Sequence, residues 1–258
     1  MKRDCTTIAI TSGKGGVGKS VAAVNLAETL ARAGRRVTLL DADFGQGACP
    51  LLLNEAPETS LLEAIRRGQP VATALHRTSG GLTLVHCVPE AGEAEKYEHA
   101  LYAGMDDLLA QLRRTSEFIL IDTPAGTEGP VRWALDRADV GLLVVVGEPT
   151  AIADSYRLAK MVWQADPAYP MATLVNFADS KEEALGIAER FGHVTQHFTG
   201  QVPNFLGWVP FSVQIRRSVQ EQSPAVRTPG PVRTAFEEAV DVLVHGRRLA
   251  QEAVSLLN

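Results

Sequence analysis

Gly13-Lys14-Gly15-Gly16-Val17-Gly18-Lys19-Ser20 restricts what this chain can fold into more than any other stretch. It fits G-x-x-x-x-G-K-[ST], a pattern that requires a strand before the loop and a helix after it. Both are present. Residues 7–11 form an apolar, β-prone run, and Ala23, Leu26, Ala27 and Leu30 recur at i, i+3, i+4 and i+7. Glycine lets such a loop curl until its backbone N–H groups face a bound phosphate. The helix that follows adds its positive dipole end. In this arrangement Lys19 reaches the β- and γ-phosphates and the Ser20 hydroxyl ligates Mg²⁺. The contact segment is predicted to run from Gly13 through Val21. A glycine-rich turn without a ligand leaves the Lys19-Ser20 pair unexplained.

The rest of the chain alternates in the manner the loop demands. Strand candidates fall at 7–11, 36–40, 82–87, 117–121, 140–146, 172–176 and 205–209. Several are apolar throughout, which suits strands covered on both faces of a parallel sheet. Helical periodicity separates them. Leu101, Met105, Leu108 and Leu112 share a face, as do Ala184, Ile187, Ala188 and Phe191 behind a capping box from Ser180 and Glu183. Val232, Ala235, Phe236, Ala239, Val240 and Leu243 follow Pro231. Residues 54–57, 88–95 and 224–231 have loop composition. The expectation is one α/β domain over 1–245, a doubly wound, mostly parallel sheet flanked by helices. A C-terminal helix at 246–258 follows, with Leu249, Ala253, Leu256 and Leu257 on one face as a membrane-touching segment. Continuation of the preceding core helix is the alternative.

Composition narrows the function classes. The chain has 258 residues, 45% of them hydrophobic, enough for one large core. A net charge of −5 argues against a dedicated nucleic-acid binder. Arginine pairs occur at 35–36, 66–67, 113–114, 216–217 and 247–248, mostly near the ends of predicted helices. The three cysteines, Cys5, Cys49 and Cys87, are widely spaced, without the pairing of a zinc site or a disulfide framework. No signal peptide or spanning segment is evident, so a cytoplasmic protein is expected.

Carboxylates gather at strand ends. One strand leads into Asp41-Ala42-Asp43 and another into Asp122-Thr123-Pro124-Ala125-Gly126. Carboxyl ends of parallel strands converge beside a phosphate loop. Asp122 has the form of a Walker-B aspartate holding Mg²⁺, directly or through water, and Asp41 supports the same ion. Asp43, just outside its strand, is placed to orient the water that attacks the γ-phosphate. Helix capping is the bland alternative and accounts for one cluster more readily than for both.

With Lys14 directly after Gly13, the loop resembles that of the MinD/ParA family of deviant Walker-A ATPases, which belong to the SIMIBI class of P-loop NTPases. The Asp41–Asp43 and Asp122–Gly126 segments match as well. Within that family, Glu148-Pro149-Thr150-Ala151-Ile152-Ala153-Asp154-Ser155-Tyr156 is most similar to the flagellar-number regulators FlhG, FleN and YlxH, and so are residues 205–210 and 215–219. The resemblance implies hydrolysis of ATP with Mg²⁺ and an ATP-dependent homodimer in which Lys14 contacts the partner's nucleotide. It also implies base contacts from Asn176 and Pro210, a C-terminal helix that meets the inner face of the cell membrane in the ATP state, and a positional or flagellar protein partner of unknown identity. Asn176 is equally placed to act as a turn former. Two features depart from the pattern. Phe44-Gly45-Gln46-Gly47-Ala48-Cys49 lacks the asparagine expected near Ala48, and the first strand begins without the preceding helix that some flagellar regulators carry. Three rival readings remain open. One is a DNA-partitioning ATPase using Arg216, Arg217, Arg227 and Arg233. The second is a redox or metal carrier with interfacial cysteines. The third is a scaffold that senses ATP without turnover.

Overall fold

The computed structural model describes residues 5–45, 47–87 and 94–255. In it the apolar runs become an eight-stranded sheet of order β3-β4-β2-β5-β1-β6-β7-β8. The strands are β1 (Thr6–Thr11), β2 (Val37–Asp41), β3 (Leu75–Arg77), β4 (Thr83–His86), β5 (Phe118–Asp122), β6 (Val140–Val145), β7 (Met171–Ala178) and β8 (Asn204–Pro210). All neighbours pair in parallel except β3, which runs antiparallel to β4 at the edge. The predicted strands are present with ends moved by one or two residues. Strand β3 was not foreseen, because a three-residue edge strand that is largely exposed has no buried face to imprint on the sequence.

Helices cover both faces. They are α1 (Lys19–Arg32), α2 (Cys49–Leu53), α3 (Leu61–Arg66), α4 (Ala94–Thr115), α5 (Gly129–Arg137), α6 (Pro149–Ala165), α7 (Lys181–Thr199), α8 (Val213–Gln220) and α9 (Pro231–Ser255). Alternate side chains of one strand feed opposite cores. Phe118 and Leu120 join Leu26, Leu30 and Phe236 on the face of α1 and α9. Ile119 and Ile121 join Leu108, Leu158 and Phe191 on the face of α4, α6 and α7. Strands buried on both faces need apolar residues at nearly every position, which is why they read as continuous runs.

Several local expectations change. At α7 only half of the predicted capping box forms. Ser180 accepts from the Glu183 N–H, but the Glu183 carboxylate accepts from Asp179 instead of Ser180. The complete box lies at α3, between Ser60 and Glu63. The 224–231 loop contains a 3₁₀ turn, Ala225–Arg227, and Pro231 already opens α9. Of the 88–95 loop, 88–93 lie outside the described residues, and Ala94 begins α4. Helix α9 passes through Gly246 to Ser255 without a break, so the backbone there continues the core helix. The apolar face assigned to Leu249, Ala253, Leu256 and Leu257 lies outside the described side chains.

Candidate nucleotide site

The site forms where β1, β2 and β5 end. Their register fixes it: Asp41 stands opposite Asp122 across the β2–β5 ladder, and Ile10 of β1 stands opposite Asp122 on the other side. The loop leaves β1 through Ser12, whose hydroxyl donates to the Lys14 carbonyl at 3.0 Å. Gly16 and Gly18 have φ of 79° and 82°, the left-handed region in which a side chain is strained. Gly18 is the N-cap of α1, so the helix N-terminus opens onto the loop. Gly13 is required for a different reason. A Cβ there would lie 2.2 Å from the backbone of Asp154, so only glycine lets α6 pack this close. Val17 is buried in the core on the α1 face and is not among the residues lining the cleft.

Lys19 and Asp122 form a buried pair. Lys19 Nζ lies 2.7 Å from Asp122 Oδ1, with the two side chains 8% and 0% exposed. Burial is the largest influence on Asp122 and pushes its carboxyl above the ordinary range, while Lys19 and the Ser20 hydroxyl draw it down. The two groups predicted to hold phosphate and magnesium pair with each other. Asp41 is also buried and accepts from the backbone N–H groups of Asp43 at 3.3 Å and Cys49 at 3.1 Å. It therefore ties down both ends of the segment carrying Asp43. Asp43 itself borders the open cleft and accepts from Gly45 N–H at 3.0 Å. Ser20, Asp41 and Asp122 offer the hard oxygen donors that Mg²⁺ prefers, and the Asp41 and Asp122 oxygens lie within 4.8 Å of each other. The residues thus fit the ion.

A cleft of about 910 Å³ extends from the loop to α8. Gly15, Gly16, Ser20 and Val21 of the loop and α1 line it, as do Phe177, Phe211 and Arg216. Of the two residues assigned to the base, Asn176 packs against the phosphate loop itself and Pro210 directly precedes the cleft-lining Phe211. Asn176 lies within β7, not at a turn, so its role as a turn former falls away. Its Nδ2 donates to the Val17 carbonyl at 2.8 Å, while its buried Oδ1 has no partner among the described residues. An orphaned acceptor behind a phosphate loop fits the amino edge of a base. Pro210 closes β8 opposite Ala178, and the next residue, Phe211, reaches the cleft. Phe177 and Phe211 meet edge-on at 6.2 Å between centroids, Phe177 with a left-handed φ of 61° and Phe211 70% exposed. Sequence reasoning missed both. The available signal was an aromatic directly after each assigned residue.

Lys14 lies outside this cleft. Its Nζ is 2.6 Å from Glu148 Oε2 and 3.5 Å from the Thr150 hydroxyl, at the start of α6, and the lysine side chain is 41% exposed. An exposed pair of this kind contributes little to stability, so Lys14 is available to other partners.

A family profile described as ParA, an iron-transfer P-loop NTPase of the NUBPL type, matches residues 5–244. The chain belongs to the ParA/MinD family of P-loop ATPases. The antiactivator FleN of Pseudomonas aeruginosa is 34% identical over 83% of this chain and 77% of its own length. The flagellum site-determining protein YlxH of Helicobacter pylori is 27% identical over 91% of this chain and 79% of its own. The fold resembles MinD of Pyrococcus horikoshii, solved as its Mg-ADP complex, with a TM-score of 0.74, 22% identity and coverage of 93% of this chain and 96% of that one.

Proposed function

We propose that this ATPase is an assembly switch that dimerises with Mg-ATP, separates after hydrolysis, and so controls the position or number of a cellular structure, most specifically the flagellum. The observation carrying the switch is Lys14, a second loop lysine that stands on the surface beside Glu148 while Lys19 alone serves the protein's own phosphate site. A long, exposed cation on the outer side of the phosphate loop is suited to a phosphate presented by another subunit. The flagellar assignment rests on the likeness to FleN and YlxH. A MinD-type role in placing the division site is the second reading, since septum site-determining MinD of Synechocystis is 33% identical over 66% of this chain.

In this reading ATP is the substrate and Mg²⁺ the cofactor, which when bound neutralises phosphate charge. The chain's residues do the rest. Lys19 moves from Asp122 to the phosphates, which frees Asp122 and Asp41 for the ion and its waters. Asp43 orients the attacking water, and Asn176, Phe177 and Phe211 hold the base. Cycling then takes place in the cytoplasm and at the inner membrane face.

The rival readings find less support. Of the four arginines suited to DNA, Arg217 pairs with Glu221, Arg227 with buried Glu28, and Arg233 binds the carbonyls of Val226 and Arg227. A carrier that holds its metal between two subunits needs thiols at the surface, and Cys5, Cys49 and Cys87 are all buried. Size and liposome binding, compared with ADP, ATP and no nucleotide, test the proposal. A chain that is monomeric and soluble under all three conditions contradicts it.

A further inference from the structure

Cys49 plays no part in the chemistry described so far, yet it stands at the centre of the site. It opens α2 just after the Asp43 segment and is fully buried. Its Sγ donates to Asp122 Oδ2 at 3.5 Å, and its backbone N–H donates to Asp41 Oδ2. One donor atom from each of Asp41, Cys49 and Asp122 falls within a span of 4.8 Å, so a single ion can touch all three. Beside them His86 keeps a buried Nδ1 with no hydrogen-bond partner among the described residues, 3.6 Å from Asp41 Oδ2.

We propose that Asp41, Cys49 and Asp122 form a binding site for a thiophilic divalent cation of the Zn²⁺ or Cd²⁺ class. One sulfur and two carboxylate oxygens suit such an ion. Mg²⁺ prefers oxygen throughout and does not need the thiol. Charge supports the assignment. Two carboxylates and Lys19 sum to one negative charge in a dry pocket. A divalent cation offsets that negative charge. Geometry supports it too. Lys19 holds Oδ1 of Asp122 while Cys49 faces Oδ2, so the ion enters without breaking the Lys19 pair. An ion there pins the segment after Asp43 to the end of β5 and opposes any rearrangement of that segment on nucleotide binding. This inference does not depend on dimerisation.

The test uses the full chain, free of nucleotide, titrated with Co²⁺ and separately with Cd²⁺ in the presence of excess Mg²⁺. The expected result is a thiolate-to-metal charge-transfer band that saturates at one equivalent and a matching calorimetric isotherm. Cys49→Ser should abolish the band and weaken binding by more than about 100-fold, beyond what loss of an outer partner costs. A Cys5→Ser, Cys87→Ser double variant, with Cys49 as its only thiol, should keep both signals. Absence of a band in the unmodified protein overturns the proposal, and so does a band that survives Cys49→Ser or disappears in the double variant.

Discussion

Asp122→Asn removes the charge on which Lys19 rests while keeping the shape of the side chain. The two groups are 2.7 Å apart and almost wholly shielded from water. Deleting one member of a buried ion pair costs about 3–5 kcal/mol, because the surviving charge stays buried without compensation. The new amide oxygen still accepts from Lys19, so the lower end, about 3 kcal/mol, applies here. Nucleotide should reverse the ranking. In the unmodified protein a phosphate must take Lys19 from Asp122, and in the variant it meets no such competitor. ADP without Mg²⁺ should therefore bind the variant more tightly, about tenfold for each 1.4 kcal/mol of competition removed. The benefit of adding Mg²⁺ should shrink, since a carboxylate that would serve the ion has gone. Urea unfolding followed by fluorescence of Trp133, Trp163 and Trp208, with no nucleotide, with ADP and chelator, and with Mg-ADP, separates these effects. A nucleotide-free variant within about 0.5 kcal/mol of the parent, with unchanged Mg-free ADP affinity, would refute the reasoning, since that is the scatter of neutral surface changes.

Asp43→Ala should leave ATP affinity unchanged and slow hydrolysis by about 10²–10⁴-fold, the usual cost of losing a group that orients a reacting water. Near-normal phosphate release would contradict the role. Glu117 ties the start of β5 to Arg35 and Arg36, and the Arg36 backbone N–H and both guanidinium groups hold its carboxyl below the usual glutamate range. A lowered folded-state pKa stabilises above the unfolded value and loses that effect as pH falls through the folded one. The stability advantage over Glu117→Gln should thus be complete well above pH 4.5 and fade below it, as acid-unfolding curves will show. Removing residues 247–258 should abolish ATP-dependent sedimentation with anionic liposomes. Retention of such binding would exclude this segment as the membrane contact.

The fold was legible because the double burial of the strands writes itself into long apolar runs, and because the loop motif fixes a strand and a helix on either side of it. The phosphate residues were legible for the same reason, since Gly13, Gly16 and Gly18 answer to backbone constraints that a motif preserves. What the sequence concealed depends on long-range contact. Nothing local indicates that Cys49 meets Asp122, 73 residues away, or that Lys14 meets Glu148, 134 residues away. Lys19 and Asp122 were assigned separately to phosphate and metal, and their mutual pairing emerges only from the three-dimensional structure. The Glu183 carboxylate illustrates a smaller limit. The spacing fits a capping box, but a competing N–H one residue earlier takes the acceptor.

Lys14 tests the switch most directly, because it faces Glu148 of its own chain and not its own phosphate site. The measurement is light scattering of Asp43→Ala and of Asp43→Ala with Lys14→Ala, each with saturating Mg-ATP, after calorimetry has shown that both bind ATP. The slow-hydrolysing single variant should scatter as a dimer and the double variant as a monomer. A double variant that dimerises as well as the single one would show that Lys14 does not bridge two ATP-loaded subunits.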